Sequence, residues 1–313
     1  MSILDSIKST VTAYGYIAGW KVVARLPEGM VHAIARKVAD KATTDKEGRV
    51  GAGPVQLRKN LARVLKCQPE DVPDSLVRES MRRYLRYWVE AFRLPRVAGP
   101  YMAERATAHG IGLDQVYAAH ASGKGLVLVL PHMGNWDMAG MWLAEEVAQF
   151  TTVAERLKPE SLYDAFVEFR ESLGFRILPH IGGQPPFDEL KRVLTDGGIV
   201  CLLGDRDMSA RGVEVDFFGE KTTMPAGPAL LARETGATLH SVGLWFTPPS
   251  AIDTYGGWGM KIAEQIPTQG RELPAIVQDI ATCMEEDIAA HPADWHMLQP
   301  LWMADRKRRR KDR

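Results

Sequence analysis

A chain of 313 residues with 45% hydrophobic content can bury a substantial core, and a single large α/β domain over residues 1–305 is expected. The formal charge is zero, but Arg306 to Arg313 hold seven bases and one acid, so a +6 tail, expected to be disordered, balances a body at −6. No apolar run nears the roughly 20 residues that span a bilayer, no signal-peptide pattern opens the chain, and Cys67, Cys201 and Cys283, widely spaced and in no CxxC arrangement, argue against a disulfide framework or zinc site and for a reducing cytosol.

Along the chain, residues 1–26 place Ile3, Leu4, Ile7, Val11, Tyr14, Ala18 and Val22 at helical spacing, with Lys8, Lys21 and Arg25 on other faces. This predicts an amphipathic helix that either docks on its own domain or lies in a membrane interface. Gly48 to Pro54 is a breaker-rich loop, and Leu57 to Val64 resumes a helical pattern. Pro73-Asp74-Ser75 starts a helix with Val77, Met81, Tyr84, Leu85, Trp88 and Phe92 on one face and Arg78, Arg82, Arg83, Arg86 and Arg93 elsewhere. Such a basic, aromatic helix suits phosphate or lipid headgroups, and equally suits a charge-laced surface.

From Gly123 the pattern alternates. Strands are predicted at 125–131, 151–155, 175–178, 198–204 and 238–246, with helices at 136–148, 159–173, 186–195 and 225–235 between them. A strand near Met260 to Ile262 and a helix from Glu272 to Ala290 complete an α/β fold with a largely parallel sheet flanked by helices. A hairpin-like segment, Gly212 to Gly219, precedes the helix start at Met224-Pro225-Ala226-Gly227-Pro228, and its apolar residues either line an acyl groove or simply pack.

The chemistry concentrates after the first strand of the alternating region. Leu126 to Pro131 is apolar and branched enough to be buried, so His132 lands at the C-terminal end of a strand, where open α/β sheets place ligands. His132 and Asp137, in His132-Met133-Gly134-Asn135-Trp136-Asp137, are separated by four residues in H-x4-D fashion and are expected to share one turn, and an imidazole with a nearby carboxylate can take a proton from an attacking hydroxyl. A second buried strand, Ile199 to Gly204, ends in Asp205-Arg206-Asp207. Parallel strand ends lie side by side, so Asp205 or Asp207 can reach His132; a local ion-pair cluster is the alternative. No Gly-x-Ser-x-Gly elbow, P-loop, dinucleotide fingerprint or zincin motif accompanies them. The tail has no interleaved aromatics and no nucleic-acid motif beside it, which points to anionic lipid rather than nucleic acid.

At these residues the chain resembles bacterial acyltransferases of the lysophospholipid type, in the lipid A lauroyl and myristoyl superfamily. The likeness is greatest to the actinobacterial branch that acts on phosphatidylinositol mannosides. It rests on His132 to Asp137, Val153 to Tyr163, Phe169 to Phe175, Asp205-Arg206-Asp207, the Phe217-Phe218-Gly219 and Met224 to Pro228 segments and Pro292 to Pro300, and runs from about Tyr14 to Asp305. The resemblance implies a lysophospholipid acyltransferase-like fold and transfer of a palmitoyl-type chain from acyl-CoA, a substrate rather than a cofactor, to a mannose hydroxyl. It implies His132 as general base with Asp205, where Glu is usual. Asp is one methylene shorter, so either the loop sits closer or Asp137 takes more of the orienting role. Arg170, Arg211 and Glu234 fall at donor-contacting positions, Arg211 where Ser is usual, and Glu155 joins them among the substrate-binding residues. Peripheral attachment to the cytoplasmic face of the plasma membrane follows, since the acceptor's lipid tails stay in the bilayer. A lipid A-type acyltransferase or a catalytically silent lipid-binding protein are the competing functions; an intact base with acids at Asp137 and Asp205 speaks against the second.

Overall fold

The computed structural model describes residues 19–20, 22–44, 50–155, 160–180, 186–207, 211–251 and 253–305. Most of the N-terminal amphipathic segment and the whole basic tail lie outside the described residues. The described end of that segment docks on the body: Trp20 packs among Phe92, Phe166 and Phe169, and its indole N–H donates to the Phe92 carbonyl at 3.1 Å.

Among the described residues, nine strands form two sheets. β1 (Gly110–Ile111), β2 (Leu126–Leu130), β3 (Phe150–Glu155), β4 (Phe175–His180), β5 (Ile199–Leu203), β8 (Thr238–Phe246) and β9 (Trp258–Ile262) make a seven-stranded sheet in the order β1-β9-β8-β2-β5-β3-β4. All neighbours are parallel except β8 and β9. β6 (Val213–Phe217) and β7 (Glu220–Met224) form a separate hairpin, turned by Phe218 and Gly219 at φ 50° and 80°, the pair of left-handed residues that suits a two-residue connection. Its inward residues Val215 and Phe217 are buried, Phe217 stacking on Trp302 at 5.8 Å, so the hairpin packs into the core rather than lining a groove.

β2 is buried at every position because helices cover both faces of the centre of the sheet, which is why it reads as an uninterrupted apolar run rather than an alternating one. The covering helices include α6 (Trp136–Glu146), α8 (Phe187–Thr195), α9 (Gly227–Thr235) and α10 (Leu273–Ala290). A smaller core lies under α1 (Glu28–Thr43), α2 (Ala52–Val64) and the long α3 (Asp74–Val97), with Leu57, Leu61, Val72, Val77 and Met81 at its centre. Besides β1, three helices went unread in the sequence: α1, α4 (Pro100–Thr107) and α5 (Leu113–Ala121). Their apolar stripes are short and Ala-rich, so packing rather than periodicity decides them.

Candidate active site

β2 and β5 are adjacent and in register, Leu130 opposite Leu203, and the bond from the Gly204 N–H to the Leu130 carbonyl extends the ladder by a step. Two residues beyond each strand, His132 and Asp205 therefore face one another. His132 Nδ1 lies 2.5 Å from Asp205 Oδ1, while Asp205 Oδ2 accepts the His132 backbone N–H at 2.9 Å and the Trp295 indole N–H at 3.0 Å. Asp205 is fully buried. Burial alone would raise its carboxyl, but the imidazole and these three hydrogen bonds outweigh it and hold Asp205 below the usual carboxylate range. An ionised Asp205 keeps the proton on His132 Nδ1, so the lone pair sits on Nε2, which makes no hydrogen bond among the described residues. The His132 side chain is 31% exposed, open to an incoming hydroxyl.

Asp207, the other acid of the block, turns away and accepts the Gly212 N–H at 2.9 Å. Asp137 also turns away, contrary to the turn it was expected to share with His132. Residues 132–135 are not helical: Gly134 sits at φ 58° hard against the Leu244 backbone, where a Cβ would come within 2.7 Å. The helix begins only at Trp136, with the Asn135 side chain accepting the Met138 N–H at 3.0 Å as its cap. No helical turn therefore links Asp137, five positions on, back to His132. Asp137 instead accepts from Arg170 Nε and the Tyr87 hydroxyl, both at 2.8 Å. Burial works against the Arg170 charge, but Asp137 and Tyr87 outweigh it and keep the guanidinium protonated; the Tyr87 hydroxyl is pushed well up by burial beside Asp137.

The other candidates scatter. Arg170, near the C-terminal end of α7 (Glu160–Glu171), reaches the site through Asp137. Arg211 is exposed at the foot of the hairpin, across residues 208–210, which are outside the described residues. Glu155 ends β3, and its side chain is likewise outside what is described. Glu234 is not brought to His132: it lies near the end of α9, by the N-terminal ends of β2 and β8 and away from the strand ends that carry His132, paired with Lys191 at 2.8 Å.

Tertiary structure adds residues that the sequence did not single out by spacing. The 292–298 segment returns beside the turn, Met133 bridging Trp295, and the His296 N–H donates to the His132 carbonyl at 2.7 Å. His296 Nε2 bonds the Gly134 carbonyl at 3.0 Å, and burial pushes its imidazole down to about 3. Neutral His296 thus clamps the turn. In the unfolded chain it takes up a proton below its ordinary value near 6.5 while the folded protein stays neutral until about 3, so stability is lost as pH falls through that window. The stability advantage of wild type over His296→Asn is expected to shrink by about 1.4 kcal/mol per pH unit between roughly 6.5 and 3, read from denaturant melts. A constant difference would refute a neutral buried clamp.

A largely apolar cavity opens one turn from the base. It lies between α6 and one face of the sheet, with Leu128, Leu130, Cys201 and Val242 on its floor and Trp136, Asp137 and Arg170 also among its lining residues. Its atom-free space is about 710 Å³, part of it open to solvent. The lining runs from β9 to β4, six strands or about 24 Å at the usual strand spacing. Trp136 forms the partition: its ring meets His132 edge-on at 5.9 Å, and its indole N–H is buried without an acceptor among the described residues.

The family described as bacterial lipid A biosynthesis acyltransferase matches residues 4–304. A phosphatidylinositol mannoside acyltransferase of Mycolicibacterium smegmatis is 50% identical over 296 residues, covering 94% of this chain and 92% of that protein. One of Mycobacterium tuberculosis H37Rv is 49% identical over 302 residues, covering 96% and 92%. The crystal structure of the 1-acyl-sn-glycerophosphate acyltransferase PlsC from Thermotoga maritima aligns at a TM-score of 0.35 and 14% identity, covering 76% of this chain and 95% of that one.

Proposed function

This chain belongs to the bacterial lipid A biosynthesis acyltransferase family, and we propose that it transfers a long acyl chain from acyl-CoA to a mannose hydroxyl of a phosphatidylinositol mannoside at a membrane surface. The observation that carries the reading is a solvent-reachable imidazole, oriented by a buried carboxylate, at the edge of a long apolar cavity. In this reading the acyl chain occupies the cavity, where each buried methylene contributes about 0.8 kcal/mol. His132 Nε2 takes the proton of the mannose hydroxyl as its oxygen attacks the thioester carbonyl. Asp205 stabilises the imidazolium, the tetrahedral oxyanion collapses with cleavage of the C–S bond, and the imidazolium returns its proton to the departing CoA thiolate. Arg170, held by Asp137 at the cavity wall, is assigned to the donor. Release of free thiol from palmitoyl-CoA on adding purified mannosylated phosphatidylinositol tests the function; thiol release independent of that acceptor would overturn it.

Chain-length preference follows from the cavity. Cys201 lies on its floor at mid-sheet, and Cys201→Phe would fill space that a long chain needs. The variant is expected to raise KM for palmitoyl-CoA about tenfold or more while leaving short-chain donors nearly unaffected, because several methylenes at about 0.8 kcal/mol each lose their place. Equal effects on all donors would remove the cavity from the reading.

Attachment to the bilayer is supported by α1. Met30, Ile34 and Val38, spaced i, i+4 and i+8, are 50%, 49% and 53% exposed, with exposed Lys37 and Lys41 beside them. No helix among the described residues is long and apolar enough to cross a membrane. Ile34→Asp is expected to weaken binding to anionic vesicles by about tenfold or more, since burying one such side chain is worth about 1.5–3 kcal/mol. A chain ending at Asp305 should keep this apolar component and lose the salt-sensitive part that the basic tail adds. Unchanged flotation of Ile34→Asp would exclude this face.

A further inference from the structure

The basic face of α3 has a use outside the transfer chemistry: we propose that it forms, with α1, a binding site for a phosphate mono- or diester. A cavity with about 920 Å³ of atom-free space, part of it open to solvent, lies between α1, α3 and the loop around Pro248 and Tyr255. Arg36 of α1 and Arg82, Arg83 and Arg86 of α3 line it. None of these groups belongs to the His132 site.

Three of the guanidinia are fixed by partners, Arg82 and Arg86 along the Nε–Nη2 edge. Arg82 gives Nε and Nη2 to Asp40 at 2.6 and 2.9 Å. Arg83 gives Nε to Glu79 at 3.0 Å and Nη1 to Asp294 at 2.5 Å. Arg86 gives Nε to Glu90 at 2.5 Å and Nη2 to the carbonyls of Gly256 and Gly257. This leaves Arg82 Nη1, Arg83 Nη2 and Arg86 Nη1 with no hydrogen bond among the described residues, and Arg82 Nη1 stands 3.8 Å from Glu79, beyond bonding reach. Arg36 is exposed and has no hydrogen bond or ion pair among the described residues.

The four carboxylates roughly balance the four cations, so the cluster is not a bare positive patch that would repel itself. What it holds in surplus is donors. A guanidinium presents five N–H groups and no acceptor, and a phosphate presents only acceptors whose spacing matches the guanidinium fork. The three pre-set arginines have already lost their side-chain freedom to the ion pairs, so a phosphate bound there orders only Arg36. Ion pairs that merely tie α1 to α3 would account for Arg82 and Asp40, but not for an open cavity lined by four arginines.

The test uses the full chain and reads binding without turnover, so its outcome is independent of the transfer reading. Calorimetric titrations with adenosine 3′,5′-bisphosphate, glycerophosphoinositol and inorganic phosphate are run beside flotation with phosphatidylcholine vesicles containing or lacking phosphatidylinositol. At least one phosphate ligand is expected to bind, Arg36→Glu to weaken it about tenfold or more, and the added Arg82→Gln change to abolish it. Preference for glycerophosphoinositol and for phosphatidylinositol vesicles would assign the site to a lipid headgroup; preference for the bisphosphate would assign it to a nucleotide. Tightest binding of inorganic phosphate would overturn the ester assignment and leave a site for the free ion. Arg36→Glu, on an exposed side chain, should leave the melting temperature unmoved. Failure of every phosphate ligand to bind wild type, or wild-type affinity in a folded Arg36→Glu variant, would overturn the proposal and leave only a structural ion-pair lattice.

Discussion

Replacing His132 by alanine is expected to lower transfer by about 10²–10⁴ or more while lowering the melting temperature by only a few degrees. The imidazole is partly exposed beyond the end of β2, so its removal leaves no enclosed cavity, and the turn keeps the His132 backbone bonds to Asp205 and His296. What does change is Asp205, left buried with one oxygen unpaired but still accepting two N–H groups on the other. Turnover and thermal melting measured together decide it. A folded variant that still transfers would remove His132 as the base.

Asp205→Asn is expected to lower kcat by a similar order, about 10²–10⁴, with little change in the donor KM. Both oxygens of Asp205 face donors: His132 Nδ1 on one side, the His132 amide and the Trp295 indole on the other. An amide that keeps its oxygen toward the pair must turn its NH2 toward Nδ1. The imidazole then accepts at Nδ1 and carries its proton on Nε2, the tautomer that cannot act as a base. Because His132 and Asp205 act as a unit, the double variant should be little worse than either single one. Asp137→Asn should differ in kind. It leaves the Arg170 cation buried with its charge partner removed, which costs about 3–5 kcal/mol in comparable buried pairs, and it should act on donor KM and stability rather than on the tautomer. If Asp137→Asn abolished kcat while Asp205→Asn was nearly silent, the carboxylate assignment would be reversed.

The pH behaviour of the pair follows from the same contacts. Asp205 titrates below the ordinary carboxylate range in the folded state, so the stability it contributes is present above the unfolded value and lost as pH falls through the folded one. Protonation of Asp205 therefore lies well to the acid side of neutrality, and loss of activity on mild acidification belongs to other groups.

Local pattern was enough for the elements that carry the chemistry. The apolar runs at Leu126 and Ile199 read as buried strands because parallel strands covered on both faces cannot alternate, and the polar blocks that follow them read as strand-end sites for the same reason. The βα alternation from Gly123 onward fixed the sheet's largely parallel character, and the ordered motifs named the family. Which acid serves His132 was beyond the reach of spacing. Asp137, Asp205 and Asp207 were all compatible with it, and the choice is made by the β2–β5 register together with a non-helical turn at Gly134 that breaks the H-x4-D relation. Contacts between distant segments were equally invisible: Trp295 on Asp205, Tyr87 on Asp137, and the arginines of α3 gathered with Arg36 around one cavity. Periodicity reports which face of an element is buried, because burial acts residue by residue along one chain segment. Partner choice depends on how strands and helices from separate parts of the chain are laid side by side, and that is decided only when the whole core closes.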